Sequence, residues 1–323
     1  MSITDLTTIE PTAEEASKAR ASRQALPNSI VRNGPCTYLR AERHRLSELR
    51  YRHFAVRQIG TTIGGEISGV DITGDLSDDI IAEIRQALHD FKVIFFRDQP
   101  LTTQQHIAFA ARFGPLETHP FLPPNSEQPE LVRFAKGATV AGHENGWHHD
   151  VTWRATPSMG AVLHGISVPP VGGDTLFSDM YAAYDGLPDE VRERIDNMTA
   201  EHDFMSAFGR SVPDNELAAM RDKFPVVVHP VAPRHAATGR RHLYVNRYFT
   251  SRIVGVSDRE SHDLIEFLAR QADYPEHQCR FTWRNDSVAF WDNRAVQHYA
   301  ASDYWPLPRI MERASIQGDR PSV

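Results

Sequence analysis

A histidine and an aspartate two positions apart, together with a second histidine far downstream, constrain the fold of this chain more than any other feature. Residues 147–150 read Trp-His-His-Asp, and residues 291–298 read Trp-Asp-Asn-Arg-Ala-Val-Gln-His. His148, Asp150 and His298 therefore provide two imidazoles and one carboxylate. These are the groups of a 2-His-1-carboxylate facial triad, which holds Fe(II) and leaves other coordination positions open. Only a fold that brings distant parts of the chain together can assemble such a site.

The spacing of the first two candidate ligands predicts a strand. In a β-strand, residues i and i+2 point to the same side of the sheet. We therefore expect a strand over residues 147–153, in which His148 and Asp150 face the interior and His149 faces the other way. His298 is expected on a late strand that faces them.

Short runs of β-branched and aromatic residues between turn residues predict many strands along the rest of the chain. The predicted strands are 54–59, a hairpin partner within 64–72, 92–96, 131–134, 147–153, 159–168, 174–177, 226–228, 242–246, 279–283, 287–291 and 310–316. Many short strands with a few flanking helices indicate a mainly β protein. We expect an antiparallel double-stranded β-helix, or jelly roll, at its core.

A smaller number of segments have helical character. Ser77 and the two aspartates after it offer an N-cap and an acidic first turn, and apolar residues follow at helical spacing as far as Leu88. Further helices are predicted at 103–113, 179–186, 188–198 and 258–273. The stretch 204–223 has weak periodicity and is expected to be either a loop or lid over a site or an ordinary connecting segment.

The composition restricts the classes of partner. Hydrophobic residues make up 41% of the chain and charged residues 24%, as in ordinary globular proteins. The net charge of −7 argues against nucleic acid as the main partner, because phosphate binding favours a basic surface. Two cysteines, Cys36 and Cys279, are too few for a disulfide scaffold. No signal peptide or bilayer-length apolar run is visible, so we expect a cytoplasmic protein without a membrane partner.

The N-terminal part of the chain differs in texture from the rest. Residues 1–50 mix charged residues with Ser, Thr and Ala, and Pro27 and Pro35 interrupt them. We expect a polar extension that is either flexible or docked on a partner subunit. Residues 51–323 are expected to form one domain.

Three segments in the order and spacing seen here resemble the TauD/TfdA family of Fe(II)- and 2-oxoglutarate-dependent dioxygenases, over roughly residues 54–320. Residues 147–153 read Trp-His-His-Asp-Val-Thr-Trp and are similar to the family's WHxDxTF/W segment. Residues 291–299 are similar to its WDNRxxxH segment, and residues 309–319 to its closing strand with two arginines. The resemblance includes taurine dioxygenase-like and alkylsulfatase-like members.

The resemblance implies roles for individual residues. His148, Asp150 and His298 would be the iron ligands. Arg309 and Thr175 would bind the far carboxylate of 2-oxoglutarate, since a guanidinium can grip a carboxylate with two hydrogen bonds. Thr175 alone would equally fit ordinary strand propensity.

Arg313 would lie near the metal, either against the near end of 2-oxoglutarate or against an anionic head of the prime substrate. His119 matches a position that contacts a sulfonate in the taurine-cleaving members, although it would equally serve to cap a turn before Pro120. Glu144 would pair with a substrate amine or be solvated. Several apolar side chains are expected to line a substrate pocket or to belong to the core: Phe121, Leu122, Val151, Phe204, Phe208 and Tyr248.

The expected function is a 2-oxoglutarate-dependent non-haem iron dioxygenase that hydroxylates an aliphatic C–H bond with O₂ and releases succinate and CO₂. The favoured substrate is a small sulfonate or alkyl sulfate, and the alternative is a carboxylate such as an aryloxyalkanoate or an amino-acid-derived metabolite. Two other classes remain open from the residues alone, a zinc hydrolase that uses the same ligands and a non-catalytic jelly roll that binds small anions. The family favours a homodimer or homotetramer.

Overall fold

The computed structural model describes residues 34–122, 128–142 and 144–323. Strands and helices are interspersed within these ranges. The strands are β1 Ala55–Gln58, β2 Gly65–Ser68, β3 Val93–Phe96, β4 Leu131–Lys136, β5 Gly160–Ser167, β6 Thr175–Asp179, β7 Thr199–His202, β8 Val227–Pro230, β9 Thr250–Ile253, β10 Gln278–Phe281, β11 Val288–Asp292, β12 Val296–Ala300 and β13 Arg309–Ile316. The helices are α1 Arg40–Glu48, α2 Asp78–Phe91, α3 Thr103–Ala111, α4 Met180–Asp185, α5 Asp189–Ile195, α6 Met205–Phe208, α7 Asp214–Lys223 and α8 Asp258–Ala269.

The strands form three sheets. The largest has the order β1-β2-β3-β11-β5-β13-β4, and the two smaller sheets have the orders β10-β6-β12 and β8-β7-β9. All neighbouring strands in the largest sheet are antiparallel except β2 and β3, which are parallel. These sheets with helices around them agree with the predicted combination of many short strands and flanking helices.

The hydrophobic core joins the largest sheet to the β10-β6-β12 sheet. Alternate residues of β3, β5 and β11, such as Phe95, Leu163 and Trp291, belong to one buried cluster with Phe177 of β6 and Phe281 of β10. The rings of Phe95 and Phe281 stack with centroids 4.0 Å apart. The period-2 alternation of side chains explains why one face of each strand enters this cluster.

The opposite face of the largest sheet is covered by helices. Phe109 of α3 packs edge-on against Phe96 of β3, and Phe113 packs against Phe290 of β11. Phe96 and Phe290 alternate with the residues that enter the other cluster, so both faces of the central strands are buried.

Local sequence patterns predicted most of these helices and strands at or near their observed positions. Ser77 accepts a hydrogen bond from the backbone N–H of Ile80 and caps α2, as its position before two aspartates predicts. Thr102 and Gln105 form a capping box at the start of α3. The helices predicted at 179–186, 188–198 and 258–273 correspond to α4, α5 and α8, each with slightly different ends.

The predicted strand over 147–153 is wrong. His148 makes only an isolated bridge to His298, and the chain turns at once after it. Val151 has a φ of 49°, which lies in the left-handed region and is incompatible with an extended strand. The backbone N–H of Arg154 bonds to the carbonyl of Val151 and closes the turn.

The predicted strand over 242–246 is also absent. Its backbone is bonded to scattered partners, since Leu243 donates to Met180 and Tyr244 donates to Val231. Conversely, the structure contains β7 and β9, which the strand pattern did not single out, whereas β12 carries His298 and confirms the late strand expected there. β7 and β9 have four residues each, so too few positions are available to establish a period.

Residues 204–223, expected as a loop or a connection, form α6, a single 3-10 turn at Gly209–Ser211, and α7. Side chains from this segment join an aromatic cluster that borders the candidate site. Phe204 is buried in it, and Phe208 packs against it.

The N-terminal unit, up to Leu49, is described here only from residue 34 onward. It contains α1, in which Arg45 pairs with Glu42 one turn earlier. The charged positions of the proposed extension before residue 34 lie outside the described residues. None of the helices in the described part of the chain has both the length and the apolar character that a bilayer crossing requires.

Candidate active site

Two distant segments of the chain meet at a two-bond backbone bridge. The N–H of His148 donates to the carbonyl of His298 at 3.2 Å, and the N–H of His298 donates back to His148 at 2.9 Å. The two imidazole rings lie side by side with centroids 4.3 Å apart. The bridge attaches the loop before Asp150 to β12, and it brings the three candidate ligands together without the predicted strand.

The three candidate ligands form a compact group. One ligand atom from each of His148, Asp150 and His298 lies within 4.8 Å of the others. The Nε2 atoms of the two histidines lie 3.7 and 4.0 Å from the Asp150 carboxylate. The Nδ1 of His148 lies 2.8 Å from the Gly146 carbonyl, so that nitrogen carries the proton and Nε2 keeps its lone pair for a metal.

The electrostatics of the group suit a cation. Burial lowers the pKa of His298 to about 3, and the neighbouring His148 lowers it further. Burial also lowers the pKa of His148. Both imidazoles are therefore neutral near pH 7, which is the form that binds a metal. Two neutral imidazoles and one carboxylate fit Fe(II) as a facial triad.

Arg313 holds the Asp150 carboxylate. Its Nη1 donates to the two carboxylate oxygens at 3.1 and 2.9 Å, and both side chains are buried. Burial opposes ionisation of Asp150, but the charge of Arg313 and then the adjacent histidines outweigh it and hold the pKa of Asp150 below its usual range. Asp150 is therefore an anion, with its oxygens oriented by β13.

Asn293 fixes the turn that carries Asp150. Its side-chain oxygen accepts from the Asp150 N–H at 2.7 Å, and its Nδ2 donates to the carbonyls of Asp150 and Ser158 at 2.9 and 3.0 Å. The sequence analysis did not assign a role to Asn293, although it lies inside the Trp-Asp-Asn-Arg segment. Its neighbour Asp292 is buried and accepts hydrogen bonds from His235 and Arg294.

Arg309 lies on the same face of β13 as Arg313, as their spacing predicts. Its Nε donates to the Gly173 carbonyl at 3.1 Å, whereas its buried Nη2 has no hydrogen-bond partner among the described residues. Burial lowers the pKa of Arg309. Gly173 has a φ of 70°, and a Cβ there would lie 3.0 Å from the Arg309 side chain, so glycine both permits the turn and leaves room for the guanidinium.

Thr175 begins β6 and borders the same cavity as Arg309. Its Oγ1 accepts a hydrogen bond from Trp283 Nε1 at 2.9 Å. Because that bond occupies the oxygen as an acceptor, the hydroxyl proton remains available for an anion. Trp283 is a supporting residue that the sequence analysis did not identify.

His119 serves as a turn cap and also borders the cavity. Its Nδ1 accepts from the backbone N–H groups of Phe121 and Leu122 at 3.2 and 3.1 Å, so the cap lies after Pro120 and not before it. Burial lowers the pKa of His119 to about 3, and the charge of Arg313 lowers it further. The neutral ring therefore carries its proton on Nε2, which is left as a donor.

These groups surround one cavity of about 170 Å³. The residues predicted to bind the metal, 2-oxoglutarate and the substrate border it: His119, Leu122, Glu144, His148, Asp150, Val151, Thr175, Phe208, His298, Arg309 and Arg313. Of the other apolar side chains predicted for the pocket or the core, Tyr248 also borders the cavity, whereas Phe121 and Phe204 belong to the adjacent aromatic cluster. Further apolar side chains complete its wall: Phe134, Leu163, Ala207, Tyr248, Phe249, Trp291, Ala300, Ala301, Tyr304 and Met311. The cavity combines an anionic metal site, two guanidinium groups and a largely apolar wall.

Glu144 forms an ion pair with a lysine of the same chain, which differs from both expectations, a solvated side chain and a partner for a substrate amine. Its Oε1 lies 2.8 Å from Nζ of Lys136, at the end of β4, and both side chains border the cavity. The sequence analysis did not single out Lys136, because its pairing with Glu144 depends on the fold. The neighbouring His143 lies outside the described residues.

His149 faces away from the cavity. It is completely buried, and its ring lies 4.7 Å from the ring of Tyr244. Tyr248 lies on the cavity side instead, with its ring 5.0 Å from the ring of His148. A Cβ at Gly146 would lie 2.3 Å from the Tyr248 ring, so the absence of a side chain there makes room for this contact.

Comparisons with known proteins agree with this geometry. The sequence profile described as the taurine catabolism dioxygenase TauD, TfdA family matches residues 55–315. An alpha-ketoglutarate-dependent sulfate ester dioxygenase of Pseudomonas putida is 34% identical over 276 residues, which cover 82% of this chain and 90% of that protein. An (S)-phenoxypropionate/alpha-ketoglutarate-dioxygenase of Sphingobium herbicidovorans is 32% identical over 283 residues, covering 82% of this chain and 96% of that protein.

Solved structures are similar as well. The crystal structure of a taurine dioxygenase from Burkholderia xenovorans aligns with a TM-score of 0.73 at 36% sequence identity. The alignment covers 84% of this chain and 91% of that chain.

Proposed function

The chain belongs to the taurine catabolism dioxygenase TauD, TfdA family, and from this premise we propose that it is an Fe(II)- and 2-oxoglutarate-dependent dioxygenase that hydroxylates an aliphatic carbon of a small anionic substrate. One oxygen atom of O₂ enters the product and the other enters succinate, as CO₂ leaves the 2-oxoglutarate. The proposal includes a double-stranded β-helix as the common core and a homodimer or homotetramer as the assembly.

His148, Asp150 and His298 would hold the metal. Fe(II) bound there, together with 2-oxoglutarate and O₂, supplies the oxidation of an unactivated C–H bond. The chain contributes neutral imidazoles, a carboxylate oriented by Arg313, and a turn that Asn293 fixes. These contacts keep the three ligand atoms in place before a metal arrives, and the buried surroundings keep bulk water away.

Arg309 and Thr175 would bind the far carboxylate of 2-oxoglutarate. The observation that carries the proposal is the Nη2 of Arg309, a buried cationic donor in the same cavity as the three ligands that has no hydrogen-bond partner among the described residues. Leaving such a donor without an anion is costly, because a buried charge requires a partner. A carboxylate that also accepts the Thr175 hydroxyl proton satisfies this requirement.

The prime substrate would present its anionic group to His119 and Arg313. His119 offers a neutral N–H donor, and Arg313 a fixed cation whose Nε has no hydrogen-bond partner among the described residues. Such a pair suits a sulfonate or sulfate ester, and the similarity to the sulfate ester dioxygenase supports that class. The similarity to the (S)-phenoxypropionate dioxygenase keeps a carboxylate as the second candidate.

The test is a succinate-release screen with Fe(II) and 2-oxoglutarate over alkyl sulfates, alkyl sulfonates and aryloxyalkanoates. We expect succinate formation that depends on both Fe(II) and an anionic substrate. Turnover that instead requires Zn²⁺ and no 2-oxoglutarate would identify a hydrolase and contradict the proposal.

A further inference from the structure

An ion pair forms part of the wall of the substrate cavity. The Lys136 ammonium and the Glu144 carboxylate lie 2.8 Å apart, and their side chains are 12% and 33% exposed. Both border the cavity that contains the candidate metal ligands. The pair therefore faces the same cavity as the candidate ligands, and neither residue belongs to the set proposed to hold the metal or 2-oxoglutarate.

The fold fixes both partners next to residues of the candidate site. Lys136 ends β4 directly opposite Arg309 in the ladder between β4 and β13. Glu144 lies four residues before His148, and its carbonyl accepts hydrogen bonds from the backbone N–H groups of Gly146 and Ala300. Neither side chain needs to move for the pair to form.

The ion pair engages one of the few acidic side chains that border the cavity among the described residues. Among the described residues that border it, the acidic ones are Glu144 and Asp150, and Asp150 already binds Arg313. Glu144 is thus the carboxylate on which a substrate ammonium would depend. The Glu144 side chain itself borders the cavity, so its carboxylate can act on a bound substrate.

We propose that Lys136 determines substrate specificity by occupying the Glu144 carboxylate, so that the cavity rejects anions with a cationic amine tail and accepts those with an uncharged alkyl tail. An entering ammonium would have to displace Lys136 from Glu144, and it would meet a like charge within the same wall. Like-charge contacts of this kind are a common source of discrimination between ligands. The inference rests on the proposed function, because it concerns the tail of the same anionic substrate.

The test uses two sulfonates of nearly equal shape. In 3-aminopropane-1-sulfonate an ammonium stands where butane-1-sulfonate has a methyl group. Binding of each to the Fe(II)- and 2-oxoglutarate-loaded protein is measured without oxygen by calorimetry. We expect the wild type to bind butane-1-sulfonate at least about tenfold more tightly, a difference of about 1.4 kcal/mol.

Removal of the lysine charge should abolish much of the preference for butane-1-sulfonate. Lys136→Met should reduce the ratio of the two dissociation constants by about tenfold, because Glu144 then becomes available to the ammonium. Glu144→Gln should retain the alkyl preference, and the double variant Lys136→Met/Glu144→Gln should recover the wild-type ratio. Thermal unfolding of each variant shows whether it is folded, and Lys136→Gln serves as the second variant if the methionine variant is not.

The outcomes separate this inference from the proposed function. If the ratio of the two dissociation constants is unchanged in folded Lys136→Met, the role of Lys136 is overturned while sulfonate recognition stays intact. The same holds if the double variant changes this ratio as much as Lys136→Met does. Failure of the wild type to bind either sulfonate would overturn both the sulfonate proposal and the inference.

Discussion

Asn293 bonds to both backbone polar groups of Asp150, accepting from its N–H at 2.7 Å and donating to its carbonyl at 2.9 Å. The Asp150 carboxylate therefore leaves a backbone that is held from the opposite segment of the chain. Supporting residues of this kind typically change metal affinity by 10–100-fold when they are removed.

Asn293→Ala should weaken binding of Fe(II), or of Co(II) as a spectroscopic probe, by about tenfold or more. Asn285→Ala is a matched control, because Asn285 accepts a hydrogen bond from the backbone N–H of Val168 but does not border the cavity. Metal titrations of the two folded variants provide the comparison. Equal affinities for Asn293→Ala and the wild type would remove Asn293 from the supporting network.

Asp150→Ala should abolish metal binding and also destabilise the metal-free protein. Arg313 loses the anion to which its Nη1 donates, and removing one partner of a buried ion pair typically costs roughly 3–5 kcal/mol. Denaturant unfolding of the apoprotein measures this loss. The double variant Asp150→Ala/Arg313→Met should recover part of the lost stability, whereas a wild-type unfolding curve for Asp150→Ala would contradict the pairing.

Arg309→Ala should raise the 2-oxoglutarate concentration needed for half-maximal turnover by at least about tenfold, since about 1.4 kcal/mol corresponds to that factor. Arg309→Lys should have an intermediate effect, because an ammonium keeps the charge but cannot form the planar fork. Thr175→Val should cause a smaller increase than Arg309→Ala. An unchanged 2-oxoglutarate requirement in Arg309→Ala would place the binding site of this carboxylate elsewhere.

His149→Ala should affect stability and not the metal site. His149 is completely buried against Tyr244, so truncation leaves a cavity, and such core truncations typically cost roughly 2–5 kcal/mol. Metal affinity should stay within about threefold of the wild-type value. A loss of affinity comparable to that of Asp150→Ala would mean that His149, and not its neighbours, faces the metal.

Stability should fall below about pH 6.5, partly because of His106. This histidine is completely buried, and burial lowers its pKa to about 4, although its hydrogen bond with the Val162 carbonyl opposes the shift and the nearby His164 adds to it. The unfolded chain, with an ordinary pKa near 6.5, binds the proton more readily, so the stability from His106 is present above that value and is lost as the pH falls towards 4.

Between pH 7.5 and pH 5, His106 alone should lower the free energy of unfolding by about 2 kcal/mol. Denaturant unfolding at the two pH values measures it, with His106→Gln as the variant that cannot titrate. The free energy of unfolding of His106→Gln should fall by correspondingly less between the two pH values. Identical pH dependence in the two proteins would contradict the assignment.

Local sequence signals were sufficient for the elements that depend on local chemistry. The N-cap at Ser77 and the capping box at Thr102 each require only a few consecutive residues. The identity of the candidate ligands was also accessible, because the spacing of His148 and Asp150 and the downstream segment with His298 matched a family pattern.

The way these ligands are brought together was not accessible from local patterns. A period-2 argument predicted a strand at 147–153, but Asn293 takes the Asp150 N–H and Val151 adopts a positive φ. Likewise, nothing near Lys136 in the sequence indicates Glu144 as its partner. These contacts join segments that only the folded chain brings together, and the turn around Val151 opposes the ordinary preference of a β-branched residue.

The bridge between His148 and His298 has a thermodynamic consequence. Their backbones meet only in the folded protein, so the unfolded chain has no comparable arrangement of three ligands. A metal that binds here therefore selects the native state, and it should stabilise that state by about 2.7 kcal/mol when its free concentration is 100 times its dissociation constant. The midpoint of thermal unfolding should accordingly depend on metal concentration, so that the stability of the fold varies with the availability of the metal.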